Sequence, residues 1–350
     1  MTADIPRTAD DLTSAWFSEV LGRAVQVESI EPVGVGVGLV GTLFRVGLAG
    51  NGNGPSTLIA KLAAPLDENR FVATVLNMYG REVGFYTELS PRTKVPHPAC
   101  YYAAHDPVSQ DTVLLLEDVS ARGNGGDQVK GASLAEARPA IHTLARLHAG
   151  FWDDPSLSEP TFLLRLCDDP YPAAVSFAYD TAWPRVHEFF ADMIDDEIEA
   201  FGNAFSANIP ATFARLCDGP HVLSHADWRL DNLFFAGNEV IAVDWQLIDR
   251  SVGPRDLSYL VTQSLNIDEP EGYRAAFDTY VGDITELGVE LDRDWAWEMY
   301  RYGTMFGFVY PVVACGALTH EDPRHVELTR ALFRRCVAAA RALDALDLPL

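Results

Sequence analysis

Between Leu223 and Gln246 the chain reads LSHADWRLDNLFFAGNEVIAVDWQ. Asp227 follows His225 and Ala226, Asn232 stands five residues beyond Asp227, and Asp244 ends the apolar run Val240 to Val243. Two carboxylates and an amide in this order suit phosphoryl transfer. That reaction asks little covalent chemistry of a protein: a carboxylate to take the acceptor's proton, and hard oxygens to hold magnesium on nucleotide phosphates. In this reading Asp227 is the catalytic base, and Asn232 and Asp244 are the metal ligands. Singly, a loop Asp or Asn is more often a turn former or helix cap. Here they flank two short strand-like runs, Leu233 to Ala236 and Val240 to Val243, joined by a Gly237-Asn238 turn, and it is the combination that points to a site.

The segment resembles the H-G-D-x-x-x-x-N loop and the following hydrophobic-D-W element of the aminoglycoside phosphotransferase and choline kinase group. Within that group, HADWRLDN followed by VDWQ looks most similar to the ecdysteroid-kinase-like branch. The resemblance implies an α+β, bilobal protein kinase-like fold. Residues 1–117 would form a small β-rich nucleotide-binding N-lobe, and residues 118–350 a larger, mostly helical C-lobe for catalysis and acceptor binding. It also implies an ATP- or GTP-dependent, Mg2+-dependent enzyme that phosphorylates a hydroxyl of a small molecule. One position departs from the pattern, because Ala226 stands where the group has Gly. Alanine disfavours positive φ, so the backbone there is either ordinary or strained. Ala226 also raises the alternative of a kinase-like nucleotide-binding regulator without turnover. A protein kinase fits less well, since neither the D-F-G nor the A-P-E phrase occurs.

Such an enzyme needs a loop over the phosphates, an ammonium and a carboxylate to hold it. The run VGVGVGLVG supplies Gly34, Gly36 and Gly38 between two strand-like segments, letting backbone N–H groups approach phosphate oxygens. No Gly-Lys-Ser/Thr follows, so it is not a Walker loop. Lys61 lies in TLIAKLA, and among 26 basic residues lysine occurs only at 61, 94 and 130. A lysine kept in an apolar strand suits a point charge for the α/β phosphates. Glu82 follows on a helical stripe of Val75, Leu76, Tyr79, Val83, Tyr86 and Leu89 and would pair with Lys61; Glu88 competes from the same helix.

By the resemblance, the stretch DTVLLLEDVS is the hinge, with the Glu117 carbonyl and Val119 N–H meeting the nucleotide base. Arg229 admits two readings: a guanidinium on the transferred phosphoryl group, or a surface arginine paired with Asp231. Asp256, in GPRDLSYLV, is expected to cap a helix or brace the catalytic loop. His148, in the phrase LARLHA, is expected to be a packed core residue.

The remaining sequence supplies the elements that hold these residues. TADDLTSAWFSEVLG reads as a capped amphipathic helix ended by Gly22, without the basic start or apolar core of a targeting peptide. Strands dominate to about residue 117. Helical patterns follow at Leu134 to Trp152, Pro184 to Gly202, Phe205 to Cys217, and from Pro254 onward. Trp183, Tyr179, Trp228, Tyr302 and Phe306 are candidates for the walls of an acceptor pocket, most of them expected to be core. Thr304 to Thr319 is apolar but too short for a bilayer span and contains Pro311, so no membrane partner is expected. A formal charge of -24 disfavours nucleic acid. Five cysteines, widely spaced and without a C-x-x-C pair, point to a reducing cytoplasm.

Overall fold

The computed structural model describes residues 4–34, 40–50, 54–65 and 67–349. The chain divides into two compact units, Met1–Gly123 with Val243–Leu247, and Asn124–Ala242 with Ile248–Leu350.

The first unit begins with helix α1 (Ser14–Val20) and strands β1 (Val25–Val33), β2 (Gly41–Gly50) and β3 (Thr57–Ala63). Helices α2 (Asp67–Val75) and α3 (Met78–Gly84) and strands β4 (Cys100–His105) and β5 (Thr112–Glu117) follow. The strands form one antiparallel sheet in the order β1-β2-β3-β5-β4. Side chains alternate across its two faces. Leu58, Ala60 and Leu62 of β3 and Val113 and Leu115 of β5 pack with Trp16, Phe17, Val46 and Leu48 into one core. The same alternation sends Lys61 to the opposite face.

The N-terminal helix is shorter than its sequence suggests. Ala9–Asp11 makes a separate 3-10 turn, and Thr13, accepting the Trp16 N–H, is the N-cap of α1. The stripe around Glu82 is also interrupted. Asn77 adopts φ 48 and separates α2 from α3, and Phe85–Leu89 forms a π turn. Val243–Leu247 packs against this helical segment: Trp245 stacks on Phe85 at 3.8 Å and 5°, and Arg81 Nη1 donates to the Leu247 carbonyl at 3.5 Å.

The second unit is mostly helical. It contains β6 (Asn124–Gly125), α4 (Leu134–Gly150), α5 (Tyr171–Phe190), α6 (Asp196–Arg215), β7 (Val222–Ser224), β8 (Leu233–Ala236), β9 (Glu239–Ala242) and β10 (Asp249–Ser251). The five helices after these are α7 (Gly253–Ser264), α8 (Pro270–Glu286), α9 (Arg293–Phe306), α10 (Val309–Gly316) and α11 (Pro323–Ala342). β8 and β9 form a hairpin whose two-residue turn has Gly237 at φ 67, a conformation glycine adopts without steric cost. β7 pairs with β10 and leads into the Ser224–Asn232 loop.

Two helix boundaries differ from the sequence reading. Pro184 lies inside α5 rather than starting a helix, and Gly202 lies inside α6 rather than ending one. A Cβ on Gly202 would fall 1.9 Å from Trp183 Cζ2, so this glycine is there for close packing. Among the described residues, no helix is long and apolar enough to cross a membrane.

Candidate active site

In the first unit, three of the residues singled out by sequence come together. Lys61 Nζ lies 2.7 Å from Glu82 Oε2 and 2.7 Å from Asp244 Oδ1. Glu88 is exposed, on the outward side of the π turn. Lys61 and Glu82 are buried, whereas the Asp244 side chain is 26% exposed. Burial opposes the lysine's charge, but Asp244 and then Glu82 outweigh it and hold its pKa above the ordinary value. Glu82 is the member that burial penalises: desolvation drives its carboxyl up to about 7 against the pull of Lys61. Gln246, which sequence reasoning missed, donates to Asp244 Oδ2 at 3.3 Å and accepts from Lys61 at 3.4 Å. Its position two residues after Asp244, in the same VDWQ phrase, was the available signal.

Gly41 sits beside this cluster, where an added Cβ would lie 3.0 Å from the Leu62 carbonyl and 3.3 Å from Lys61 Cε. Tyr79 accepts the Ala64 N–H and donates to the Val40 carbonyl, tying the end of the glycine run to α3. Gly34 has φ 65, a conformation reserved largely for glycine. Gly36 and Gly38 lie outside the described residues. Asp244 itself has φ 65, uncommon for a residue with a side chain but tolerated by Asp, and such strain concentrates at functional positions.

Glu117 ends β5 and Val119 opens a 3-10 turn capped by Asp118. The side chains here are occupied with one another. Arg45 donates to Asp118 at 2.6 Å, and Arg122 pairs with Glu117 at 2.9 Å.

The second unit holds Asp227, buried on the loop after β7. Asn232 Nδ2 donates to both the Asp227 backbone oxygen (3.0 Å) and its Oδ2 (2.7 Å). With the nitrogen committed in this way, Oδ1 is the Asn232 atom suited to a hard cation. Tyr259 donates to Asp227 Oδ1 at 2.5 Å, and Arg229 Nε lies 3.0 Å from the same oxygen. Arg229 thus takes up neither of its expected positions alone. It faces Asp227, donates to Gln128 Oε1 at 2.8 Å, and keeps Asp231 at 3.7 Å.

Asp256 braces this loop. It accepts from the Ser224 hydroxyl (2.6 Å), the His225 N–H (2.7 Å) and the Ala226 N–H (3.1 Å). His148, fully buried, places Nε2 3.3 Å from Asp256 and Nδ1 2.8 Å from the Tyr280 hydroxyl. Ala226 adopts φ 62, the conformation for which a glycine would be chosen. The loop therefore keeps the glycine geometry despite the substitution.

Tyr259 was missed by sequence reasoning, although it stands three residues after Asp256 and so shares its face of α7. The five aromatic candidates for an acceptor wall are all buried. Trp183 donates to Asn203, Trp228 to the Ala140 carbonyl and Tyr302 to the Pro349 carbonyl.

A family model described as the ecdysteroid kinase-like family matches residues 38–287. No curated protein matches the sequence. Among solved structures, a candidate aminoglycoside phosphotransferase of Ralstonia eutropha is similar at 13% identity, with 95% of this chain and 97% of that one covered and a TM-score of 0.55. Choline kinase of Cryptosporidium parvum is similar at 9% identity, 96% and 93% coverage, and a TM-score of 0.55. An amicoumacin kinase, solved with AMP-PNP, Ca2+ and amicoumacin, is similar at 12% identity, 91% and 88% coverage, and a TM-score of 0.53. At these identities the likeness shows the fold, which is α+β and protein kinase-like.

Proposed function

The chain belongs to the ecdysteroid kinase-like family, and from that premise we propose that it transfers the γ-phosphoryl group of ATP or GTP to a hydroxyl of a small molecule. The observation that carries this reading is Asp227: a buried carboxylate fixed through both oxygens, with Asn232 spending its amide nitrogen on it. A carboxylate held this way suits a general base, which must be placed to within hydrogen-bond reach of the proton it takes.

Asp227 takes the acceptor's proton. Asn232 and Asp244 offer hard oxygens and are the proposed magnesium ligands; the bound ion would neutralise charge on the phosphates. Lys61, held by Glu82, is the ammonium for the phosphates. Gly34, Gly36 and Gly38 cover them, and the backbone of Glu117 and Val119 reads the base. Arg229, already beside Asp227, is placed to meet charge on the transferred group. The similar structures include enzymes named for choline and for amicoumacin, both small molecules, which supports an acceptor of that class. The glycine-like φ of Ala226 favours turnover over a purely regulatory role. The five free cysteines support a reducing cytoplasm as its compartment.

The test is phosphate transfer from Mg-ATP or Mg-GTP to a panel of amino alcohols, sugars, sterols and aminoglycosides. Asp227→Ala is expected to abolish transfer and spare nucleotide binding. Nucleotide binding by the wild-type chain with no transfer to any acceptor would leave the regulator.

A further inference from the structure

Asp227 has two carboxylate oxygens, and the second unit treats them unequally. Oδ1 accepts from the Tyr259 hydroxyl at 2.5 Å and has the Arg229 guanidinium beside it, with Nε at 3.0 Å. Oδ2 receives one, Asn232 Nδ2 at 2.7 Å. Each oxygen accepts one of these hydrogen bonds, but a guanidinium lies against Oδ1 and only a neutral amide against Oδ2, so Oδ2 is the more basic oxygen and the one more open to an incoming O–H.

Tyr259 is built for this single contact. It is buried on α7, in the turn that follows Asp256, and its ring packs edge-on against Tyr310 with centroids 4.3 Å apart. Burial raises the pKa of its phenol well above the ordinary value, so it stays a donor. Asp256 meanwhile holds the backbone N–H groups of His225 and Ala226. One helix thus fixes both the loop's main chain and the rotation of the Asp227 carboxylate.

We propose that Tyr259 is a positioning residue that occupies Oδ1 of Asp227 and so leaves Oδ2 as the atom that accepts the acceptor's proton. The inference rests on Asp227 being the base. In the step itself, the acceptor O–H gives its proton to Oδ2 as its oxygen bonds to the γ-phosphorus. The bond from that phosphorus to the bridging oxygen breaks, the nucleoside diphosphate leaves with that electron pair, and the proton later passes to solvent.

Water can serve as the acceptor, so the test is Mg-ATP hydrolysis by the full chain. Tyr259→Phe is expected to lower kcat about ten- to hundredfold, the scale of a misplaced catalytic group, with KM for Mg-ATP within about twofold. Tyr300→Phe is the matched control, since it also removes a buried tyrosine hydroxyl, one bonded to the Tyr273 carbonyl; it should leave kcat unchanged. If Tyr259→Phe hydrolyses ATP at the wild-type rate while Asp227→Asn does not, the positioning role is wrong and the base assignment stands. If Asp227→Asn keeps the wild-type rate, the base assignment itself fails. A Tyr259→Phe variant that loses Mg-ATP affinity or folding in step with kcat would show a merely structural role and overturn the proposal.

Discussion

The Asp256 carboxylate accepts the backbone N–H of Ala226 at 3.1 Å, and Ala226 is held at φ 62. For an L-residue this conformation costs roughly 1–2 kcal/mol, so something must hold it. Asp256 does so with four contacts, to Ser224, His225, Ala226 and His148. Burial alone would raise the Asp256 pKa, but His148, then Arg255 and the Ser224 hydroxyl, lower it to about 2. Hydrogen bonds to a buried carboxylate are thus what maintains the loop's glycine-like shape.

A pH dependence follows from that shift. The folded pKa lies below the unfolded value, so the stabilisation is complete above the unfolded pKa and is lost as pH falls toward about 2. Its size at neutral pH is about 2 kcal/mol, and about half should remain at pH 3. Unfolding of the wild type and Asp256→Asn is therefore expected to differ by about that much near pH 6, with the gap narrowing steadily toward pH 3. A gap that stays constant with pH would contradict this account.

Lys61→Met should be costly for a reason separate from nucleotide binding. It removes the ammonium 2.7 Å from Glu82, whose carboxyl burial already lifts to about 7 and which then takes up a proton, so the loss falls at the low end of the about 3–5 kcal/mol typical of a buried pair broken from one side. Replacing both members, Lys61→Met with Glu82→Leu, removes the buried carboxyl left behind and should recover most of that loss. Asp244, partly exposed, can solvate itself. Chemical denaturation of the single and double variants measures the recovery.

How much of this was open to a reader of the sequence varied with the kind of contact. Asp227, Asn232 and Asp244 lie within one short segment, and Lys61 stands out as a lysine in an apolar strand, so their chemistry showed in residue type and spacing. Tyr259 did not, because a tyrosine on a buried helix looks like core until its hydroxyl is seen against Asp227. Trp183, Tyr179, Trp228, Tyr302 and Phe306 illustrate the same limit, since helical periodicity indicates burial but not what lies on the buried side. Pro184 and Gly202 looked like helix ends because proline and glycine usually are. Packing between α5 and α6 overrode that local preference.

Gly202→Ala tests that packing directly. Its Cβ would lie 1.9 Å from Trp183 Cζ2, a distance no rotation of the methyl can relieve, so the indole or the helix must move. Movement would also strain the Trp183 to Asn203 hydrogen bond. Although alanine is the better helix former by about 1 kcal/mol, overpacking of this kind costs typically about 1–3 kcal/mol or more. The variant is expected to melt lower than wild type. An increase in melting temperature would mean that helix propensity dominates at this position.

Magnesium-dependent nucleotide binding can be read without knowing the acceptor. A ligand at one hundred times its dissociation constant stabilises the folded chain by about 2.7 kcal/mol, which thermal unfolding detects. Asp227→Asn should keep that shift with Mg-ATP, because Asp227 acts on the acceptor's proton. Asp244→Asn should lose most of it, because an amide replaces the proposed anionic magnesium ligand while Asn still tolerates the φ of 65 that the backbone requires. Fold and ligand effects are then separable: Lys61 keeps its 2.7 Å contact with Glu82, and the unliganded variant should melt within a few degrees of wild type. Retention of the full Mg-ATP shift by Asp244→Asn would remove Asp244 from the metal's ligands.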